Sequence, residues 1–477
     1  MPDPVYALAI ELTPNSMTTV SSDVLRATYT RTIATALRPL QADNAMFELR
    51  NEGGKYTTGR NGAVQLAIGR DIQFTATYGG SAFNLFFGRV DRVRRQPLTG
   101  DNTNVVVEVV GGGDRLSRAV ITTPLFTNIN AGSLFTEIMT RANVASFFSD
   151  ALTDTIPYAW FRDVSARFAT DQLIRSGDYR MYVDGAGTVR LRSRYWATTS
   201  GTAISSLTEF FSLNINTDTR EVINEAKINT IPREQITSPS TIAYISPPFT
   251  VPGSGSVGFW LQFLDPFNIS QNVPVTSLVT PVASQDYYAA ANSDGTGTNY
   301  TANISLTMAT FGETAVVSLF NGSGNTAYLS RFQLRGYPLR ALSPLGVRTE
   351  NVSSQNVYGK HGFDLDNALI QDYAYIRDYS SNLVSQYKDP VDSIEIGLVN
   401  DFTSILMGDV GPTLSIVHSI SNVASSWAVQ NTSHDISLVD GLRHQTDFRF
   451  DRLTGANLFT LDSATLGTLD GSGVLAL

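Results

Sequence analysis

The chain has 477 residues, no cysteine and a formal net charge of −9, with 42% hydrophobic and only 16% charged residues. At roughly 100 to 200 residues per domain it holds about three or four domains. The acidic balance leaves no basic stripe for a phosphate backbone, which argues against sequence-specific nucleic-acid binding, and the absent thiols remove disulfides, zinc–thiolate sites and cysteine nucleophiles. Charge below the roughly 25% of an average soluble domain, with abundant Gly, Ser, Thr and Asn, points to a β-rich, loop-rich surface that expects partners. The N-terminus "MPDPVYALAIELTPN" has no basic stretch followed by a long apolar core, and no apolar run is long enough to span a bilayer. Synthesis and assembly in cytoplasm are expected.

Residues 1–115 read as six or so short strands of a small barrel or sandwich. "VYALAIEL", "AMFELRN", "AVQLAIGRDIQFTATYG", "LFFGRVDRVRRQP" and "NVVVEVVGGGD" alternate apolar and polar positions, with glycine and Asn-Gly punctuation between them. Residues 116–209 read as an α+β module. Ser133 is placed to cap a helix whose Leu134, Ile138, Met139 and Ala142 share a face. A second helix runs from Ser165 to a left-handed stop at Gly177, and "YRMYVDGAGTVRLRSR" reads as a hairpin turning at Asp184 to Gly187. "EVINEAKINTIP" is a further strand, expected within 210–235 to return to the first barrel.

Between Arg233 and Arg331 there is no Lys or Arg, and residues 236–345 read as an inserted, uncharged β-sandwich. Residues 346–452 hold a long helix, with Leu369, Tyr373, Ile376, Leu383 and Tyr387 on one face and Asp366 as its expected cap, followed by strands of a second small barrel. Residues 453–477 form a polar, Gly-rich tail. The fold class is mainly β (α+β) and multidomain: two small tube-like barrels, an α+β module and an inserted sandwich.

Chemistry is sparse. His434 and His444 stand ten residues apart on strands expected to be neighbours, with His418 on a third and His361 elsewhere; hydrogen-bonded strand histidines are the preferred reading, because no carboxylate spacing completes a metal-ligand set. Asp364 and Asp366, or Glu221 and Glu225, are pairs of the kind glycosidases use, but helix capping and solvated strand faces explain them. "GGGDRLSR", Gly111 to Arg118, lacks the Gly-Lys-Ser/Thr ending of a phosphate loop and reads as a domain-linking turn. Phe259, Trp260, Tyr287, Tyr288 and Tyr300 are candidates for stacking on sugar rings, with sandwich core as the preferred reading. No catalytic, cofactor-binding or metal-binding residue is assigned, and an enzyme is not expected.

The order of features resembles the hub proteins of bacteriophage tails. "AMFELRNEGGKY" followed by "LFFGRVDRV" is similar to that family's first-barrel pattern, a strand, an Asn-Gly-type turn and a strand ending in Phe-x-Gly-x-Val/Ile. "GSLFTEIMTRANV" and "DVSARFATDQLIRSGDYRMYVDGAGTVRL" resemble the helices and hairpin of the second domain, "EVINEAKI" the returning strand, and "NVYGKHGFDLDNALIQDYAYIRDYSSNLVSQYKDP" the Tyr-Gly and long-helix segment before the last barrel. Within the insertion, "AYLSRFQLRGYPLR" looks like an element of some tail proteins of long-tailed phages.

The resemblance covers roughly 1–235 and 346–452. It implies a structural virion protein at the tail tip, a homotrimer whose two barrels per chain present six faces to a six-fold tail tube or distal tail ring. The implied partners are the distal tail or tail-tube protein, the tape-measure protein, and a central fibre or receptor-binding proteins. The channel would be lined or closed until DNA ejection, and the cell-wall-degrading activity carried by some tail-tip proteins is not implied. The alternatives are a carbohydrate- or receptor-binding tail protein acting through 236–345, and a glycoside hydrolase with two hidden acids.

Overall fold

The computed structural model describes residues 3–56, 66–97, 103–194, 206–207, 210–217, 219–408, 410, 413–418, 423–439 and 441–452. The expected 453–477 tail lies outside them.

The first β module comprises β1 (Val5–Thr13), β2 (Ser16–Thr19), β3 (Val24–Thr32), β4 (Asn44–Arg50), β5 (Asp71–Tyr78), β6 (Ser81–Pro97) and β7 (Thr103–Gly111), in the order β3-β4-β7-β6-β5-β1-β2. Alternation decides which face goes inward: Leu8, Ile10, Phe47, Phe74, Phe86 and Val107 are all buried in one core. A slip of one residue would turn each of them outward, at about 1.5–3 kcal/mol apiece, so the register is strongly held. After β4, Asn51 accepts from the Tyr56 amide at 2.7 Å, while Gly53 and Gly54 adopt positive φ of 61° and 72°. That turn buries the Tyr56 ring and lets its hydroxyl donate to Asp23. In "LFFGRV" the glycine is required by space: a Cβ on Gly88 would run into the Val110 carbonyl oxygen.

The second β module is built by Ser206–Leu207, Ser212–Thr217, Asp392–Val399, Arg443–Arg452, Val423–Ser437 and Thr413–His418 around Ile394, Ile396, Trp427, Val429, Phe448 and Phe450, with Ser206–Leu207 parallel to Thr413–His418. Its longest strand is bent by a register shift between Val429 and Asn431. The first half, Val423–Ala428, pairs with Thr413–His418, and the second, Asn431–Ser437, pairs with β3. One continuous 13-stranded sheet results. The mainly β, multidomain expectation holds. Each module curls round its own core, but among the described residues neither closes into a ring, because the edge of β3 that would complete the first is taken by the second.

The expected returning strand is corrected. Glu225–Thr230 pairs antiparallel with Leu345–Glu350 and parallel with Gly362–Asp366, not with the first module. Its alternate residues Ala226 and Ile228 are covered by the helix Tyr373–Tyr387 through Ile376, Leu383 and Val384, a cover the occupied first module does not offer. That helix is capped by Asp372, whose carboxylate accepts from the Ala374 amide at 2.8 Å; Asp366, the expected cap, ends the strand before it. Leu369 is buried in the turn preceding the helix.

In the intervening module, "GGGDRLSR" does open a short helix, α1 (Asp114–Arg118), though one too brief for a phosphate site. Helix α2 (Ala131–Arg141) is capped by Asn130, which accepts from the Ser133 amide at 2.7 Å, so Ser133 is the capped residue rather than the cap. Helix α3 (Ala166–Gly177) starts where it was read, with Ser165 as its cap, but Asp178 rather than Gly177 takes the left-handed stop at φ 52°. Gly177 is needed instead because the Tyr179 ring occupies the space of its missing Cβ. The hairpin Arg180–Val183/Val189–Arg192 turns at Asp184, whose side chain accepts from the Ala186 and Thr188 amides at 3.0 and 2.9 Å.

The insertion has two sheets sharing one core. Ala327–Ala341 pairs along its length with Phe249–Val251, Tyr287–Ala290, Ser240–Tyr244, Val275–Leu278 and Arg233–Gln235; facing it lies the sheet Ser256–Gln262/Thr314–Asn321/Ile304–Thr310. Its interior is not uncharged: Asp286 is buried and held by a bidentate Arg335 at 2.7 and 2.9 Å. The sandwich docks on the α+β module through Arg162–Glu313 at 2.7 Å and through Gly312, where a Cβ would meet the Trp160 ring.

The hairpin turn of the α+β module lies directly on β6, where a Cβ on Gly185 would overlap the Asn84 carbonyl and one on Gly187 would overlap the Phe87 ring. Gly185→Ala is therefore expected to cost about 1–3 kcal/mol by overpacking, read as a lower melting temperature in calorimetry, whereas Gly362→Ala, with open space around it, leaves the melting temperature unchanged.

Candidate functional site

The seam between the two β modules concentrates the unusual chemistry. Its ladder runs from Arg26 opposite Ser437 to Thr32 opposite Asn431, and the bulged Gln430 offers its carbonyl to the Ile33 amide at 3.0 Å. On the solvent face Arg26 makes two charge-assisted bonds to Asp435, 2.8 and 2.5 Å. Both side chains are about half exposed, at 50% and 44%, so this pair orients the ladder more than it stabilises it.

On the inner face the two histidines read as neighbours from their spacing do meet. His434 Nδ1 lies 3.0 Å from His444 Nε2, Thr446 Oγ1 is 2.9 Å from the same His434 nitrogen, and Tyr6 Oη is 2.7 Å from His444 Nδ1. Tyr29 from β3 stacks on His434 with centroids 4.2 Å apart. Tyr6 and Tyr29 belong to the first module and the histidines to the second, so the contact ties the two halves together.

Burial, more than the neighbouring charges of His444 and Arg31, holds His434 well below its ordinary pKa. Burial also brings His444 down to about 3, opposed by Asp435. Tyr6 is pushed up, first by burial and then by Asp3, so it remains a phenol. With both imidazoles neutral, a single proton lies between them. Whichever ring carries it, the atom left over is His434 Nε2, which is buried and has no hydrogen-bond partner among the described residues. An unsatisfied buried group costs about 1–3 kcal/mol, against about 0.5–1.5 kcal/mol from a ring stack. The hydrogen bonds with Tyr6, with Thr446 and between the rings offset that cost, and because they form in one register they specify which faces meet.

Three of the four ring nitrogens face each other or Tyr6, and no group of three potential metal ligands occurs among the described residues. His361 sits apart, its Nε2 3.1 Å from the Tyr358 carbonyl and its amide donating to the buried Asn224; the side chain of His418 is outside the described residues.

The acid pairs are dispersed as well. Glu221 is ion-paired with Arg38 and lies 3.6 Å from Arg449, Glu225 meets Arg348 at 2.8 Å and Lys360 at 2.6 Å, and Asp366 accepts from Asn229. Asp364 is exposed on its strand. Phe259, Tyr287 and Tyr300 pack on the sandwich core as read, and Tyr288 is half-buried, but Trp260 is 64% exposed.

What sequence reading missed is the seam's lining. A polar cleft of about 430 Å³ opens where the modules join, lined by Thr32, Arg38, Asn214, Glu395, Asp447 and Arg449 among others. These residues come from distant stretches of chain, and only the alternation of "SIEIGL" and "TDFRFDR" hinted that Glu395, Asp447 and Arg449 share a face.

No known protein family and no curated protein matches the sequence. The fold, however, is similar to that of solved tail proteins. One is the 43 kDa tail protein of prophage MuSo2 from Shewanella oneidensis, 7% identical over 94% of this chain and 98% of that one, with a TM-score of 0.50. Another is the tail protein from Neisseria meningitidis MC58, 9% identical over 94% and 96% of the two chains, again with a TM-score of 0.50. The chain thus has the multidomain β fold of phage tail proteins across nearly its whole length.

The depressed histidines make a pH prediction. Unfolded histidines protonate near 6.5, whereas His434 and His444 resist protonation in the fold, so the unfolded chain binds more protons as pH falls. Stability is independent of their protonation above pH 6.5 and falls below it, with a slope approaching about 1.4 kcal/mol per histidine per pH unit. Denaturant titrations from pH 7 to pH 5 should show this loss, and the double variant His434→Gln/His444→Gln should flatten it.

Proposed function

We propose that the chain is a structural, non-catalytic tail-tip hub of a tailed bacteriophage. It would assemble as a homotrimer that joins a six-fold tail tube or distal tail ring to a three-fold tip. The observation that carries this reading is the joining of two curled β modules, edge to edge, in one 13-stranded sheet. Three such chains present six modules about one axis, two kinds in alternation, which resolves a threefold–sixfold mismatch. The extended similarity in fold to phage tail proteins supports the same reading.

The outer edges of the sheet support closure between copies. At one end, β2 pairs with β1 alone among the described residues and is exposed throughout; at the other, Ser212–Thr217 pairs with Asp392–Val399 alone among them, with Phe211, 72% exposed, just before the strand and Ile215, 39% exposed, within it. Open edges with apolar residues aggregate unless something pairs with them, and a neighbouring protomer would satisfy both. The lumen so formed would retain the tape-measure protein and pass DNA. The tail-tube or distal tail ring would dock on one rim and a central fibre or receptor-binding proteins on the other, and the protein would reside in the virion after synthesis in host cytoplasm.

Mass photometry of the purified chain is expected to give a trimer, with three-fold rings in negative stain. Phe211→Asp with Ile215→Lys should yield a folded monomer with an unchanged circular dichroism spectrum. A monomeric wild type at micromolar concentration would overturn the hub reading.

A further inference from the structure

The inserted sandwich carries an exposed face that neither its own core nor the hub reading uses. In its three-stranded sheet, Ser256, Gly258, Trp260 and Gln262 point to solvent while Val257, Phe259 and Leu261 point to the core. The cross-strand register puts Trp260 beside Val316 and Ala309, Gly258 beside Ser318 and Thr307, and Ser256 beside Phe320 and Ser305.

Two exposed aromatic rings, Trp260 at 64% and Phe320 at 44%, therefore stand at opposite ends of a shallow floor of glycine, alanine, valine, serine and threonine. They are separated by four residues along the strands, or about 14 Å at 3.4 Å per residue. Trp260 does not swing freely: it stacks on Phe311 with centroids 5.5 Å apart and planes at 25°, which presents a fixed ring outward.

No position on this floor bears a charge, and no Lys or Arg occurs between Arg233 and Arg331. That absence argues against an ionic polysaccharide, a phosphate backbone or an acidic lipid surface as occupant. A face of fixed aromatic rings and hydroxyl groups, without charge, matches a chain of neutral pyranose rings, whose C–H faces are apolar and whose rims are hydroxyls. An aromatic ring held rigid gives contact area at little conformational cost.

We propose that this face, from Trp260 to Phe320, binds a neutral linear glycan, with the sugar rings stacked on the two aromatics and bridging hydroxyls meeting Ser318 and Thr307. The site belongs to the sandwich alone and does not rest on the trimer.

The test uses the full chain in affinity electrophoresis and titration calorimetry against neutral probes (cellohexaose, maltohexaose, hexa-N-acetylchitohexaose and a neutral mannan), with heparin as the charged control. Binding to at least one neutral probe and none to heparin is expected. Trp260→Ala should weaken it by about tenfold or more, Phe320→Ala by less, and Thr307→Arg should block the floor, while Phe267→Ala, an exposed aromatic off this face, leaves affinity unchanged. Since Trp260 also contacts Phe311, melting temperatures within a degree or two of wild type must accompany the loss; Phe320→Ala and Thr307→Arg keep the test intact if Trp260→Ala misfolds. No retention by any neutral probe, equal binding by all variants, or a change of oligomeric mass on Trp260→Ala, which would make the occupant a second copy, overturns the proposal.

Discussion

A strand has two edges, and in this molecule the second edge of β3 is given to the other half of the chain. β4 occupies one side and Asn431–Ser437 the other, so the first module cannot complete its own ring. The bend at Gln430 follows from the same constraint, because one strand has to serve its own module through Val423–Ala428 and its neighbour through the remainder. The Tyr6, Tyr29, His434 and His444 contact, the polar cleft beside it and the open outer edges are all consequences of that shared ladder.

The seam also shows why polarity can sit at the centre of a fold that must rest on packing alone. Replacing His434 and His444 by apolar residues of like volume would remove a buried nitrogen that has no partner among the described residues and, below pH 6.5, the cost of keeping two imidazoles neutral. The hydrogen bonds from Tyr6 and between the rings, however, exist in one register only. Apolar surfaces tolerate sliding, and a one-residue slip here would separate every polar partner. Specificity of alignment is what the histidines contribute.

Much of this was legible in the sequence, because strands buried on one face write their periodicity into it. "VYALAIEL", "AMFELR" and "DFRFDR" each put their apolar positions on the core side, and the hairpin at Asp184 was readable from its Asp and two glycines. Partner choice was not legible. "EAKINT" alternates as any half-buried strand does, and nothing local says that it joins Leu345–Glu350 and a helix rather than the first module. The N-terminal caps were missed by three and by six residues, since Asn130 and Asp372 compete with Ser133 and Asp366 on equal local terms. The ten-residue interval between His434 and His444 implied neighbouring strands, but their contact with Tyr6, more than four hundred residues away, is a property of topology.

The antiparallel ladder between the halves carries a mechanical consequence. Its hydrogen bonds lie across the strands, so a force that slides one half along the other strains the whole row at once, whereas a force that peels them apart breaks the bonds singly from one end. A body built this way is stiff along β3 and yields across it. The buried stack of Tyr29 on His434 is then a rivet set inside the zip, and the bulge at Gln430 marks the end from which tearing would start.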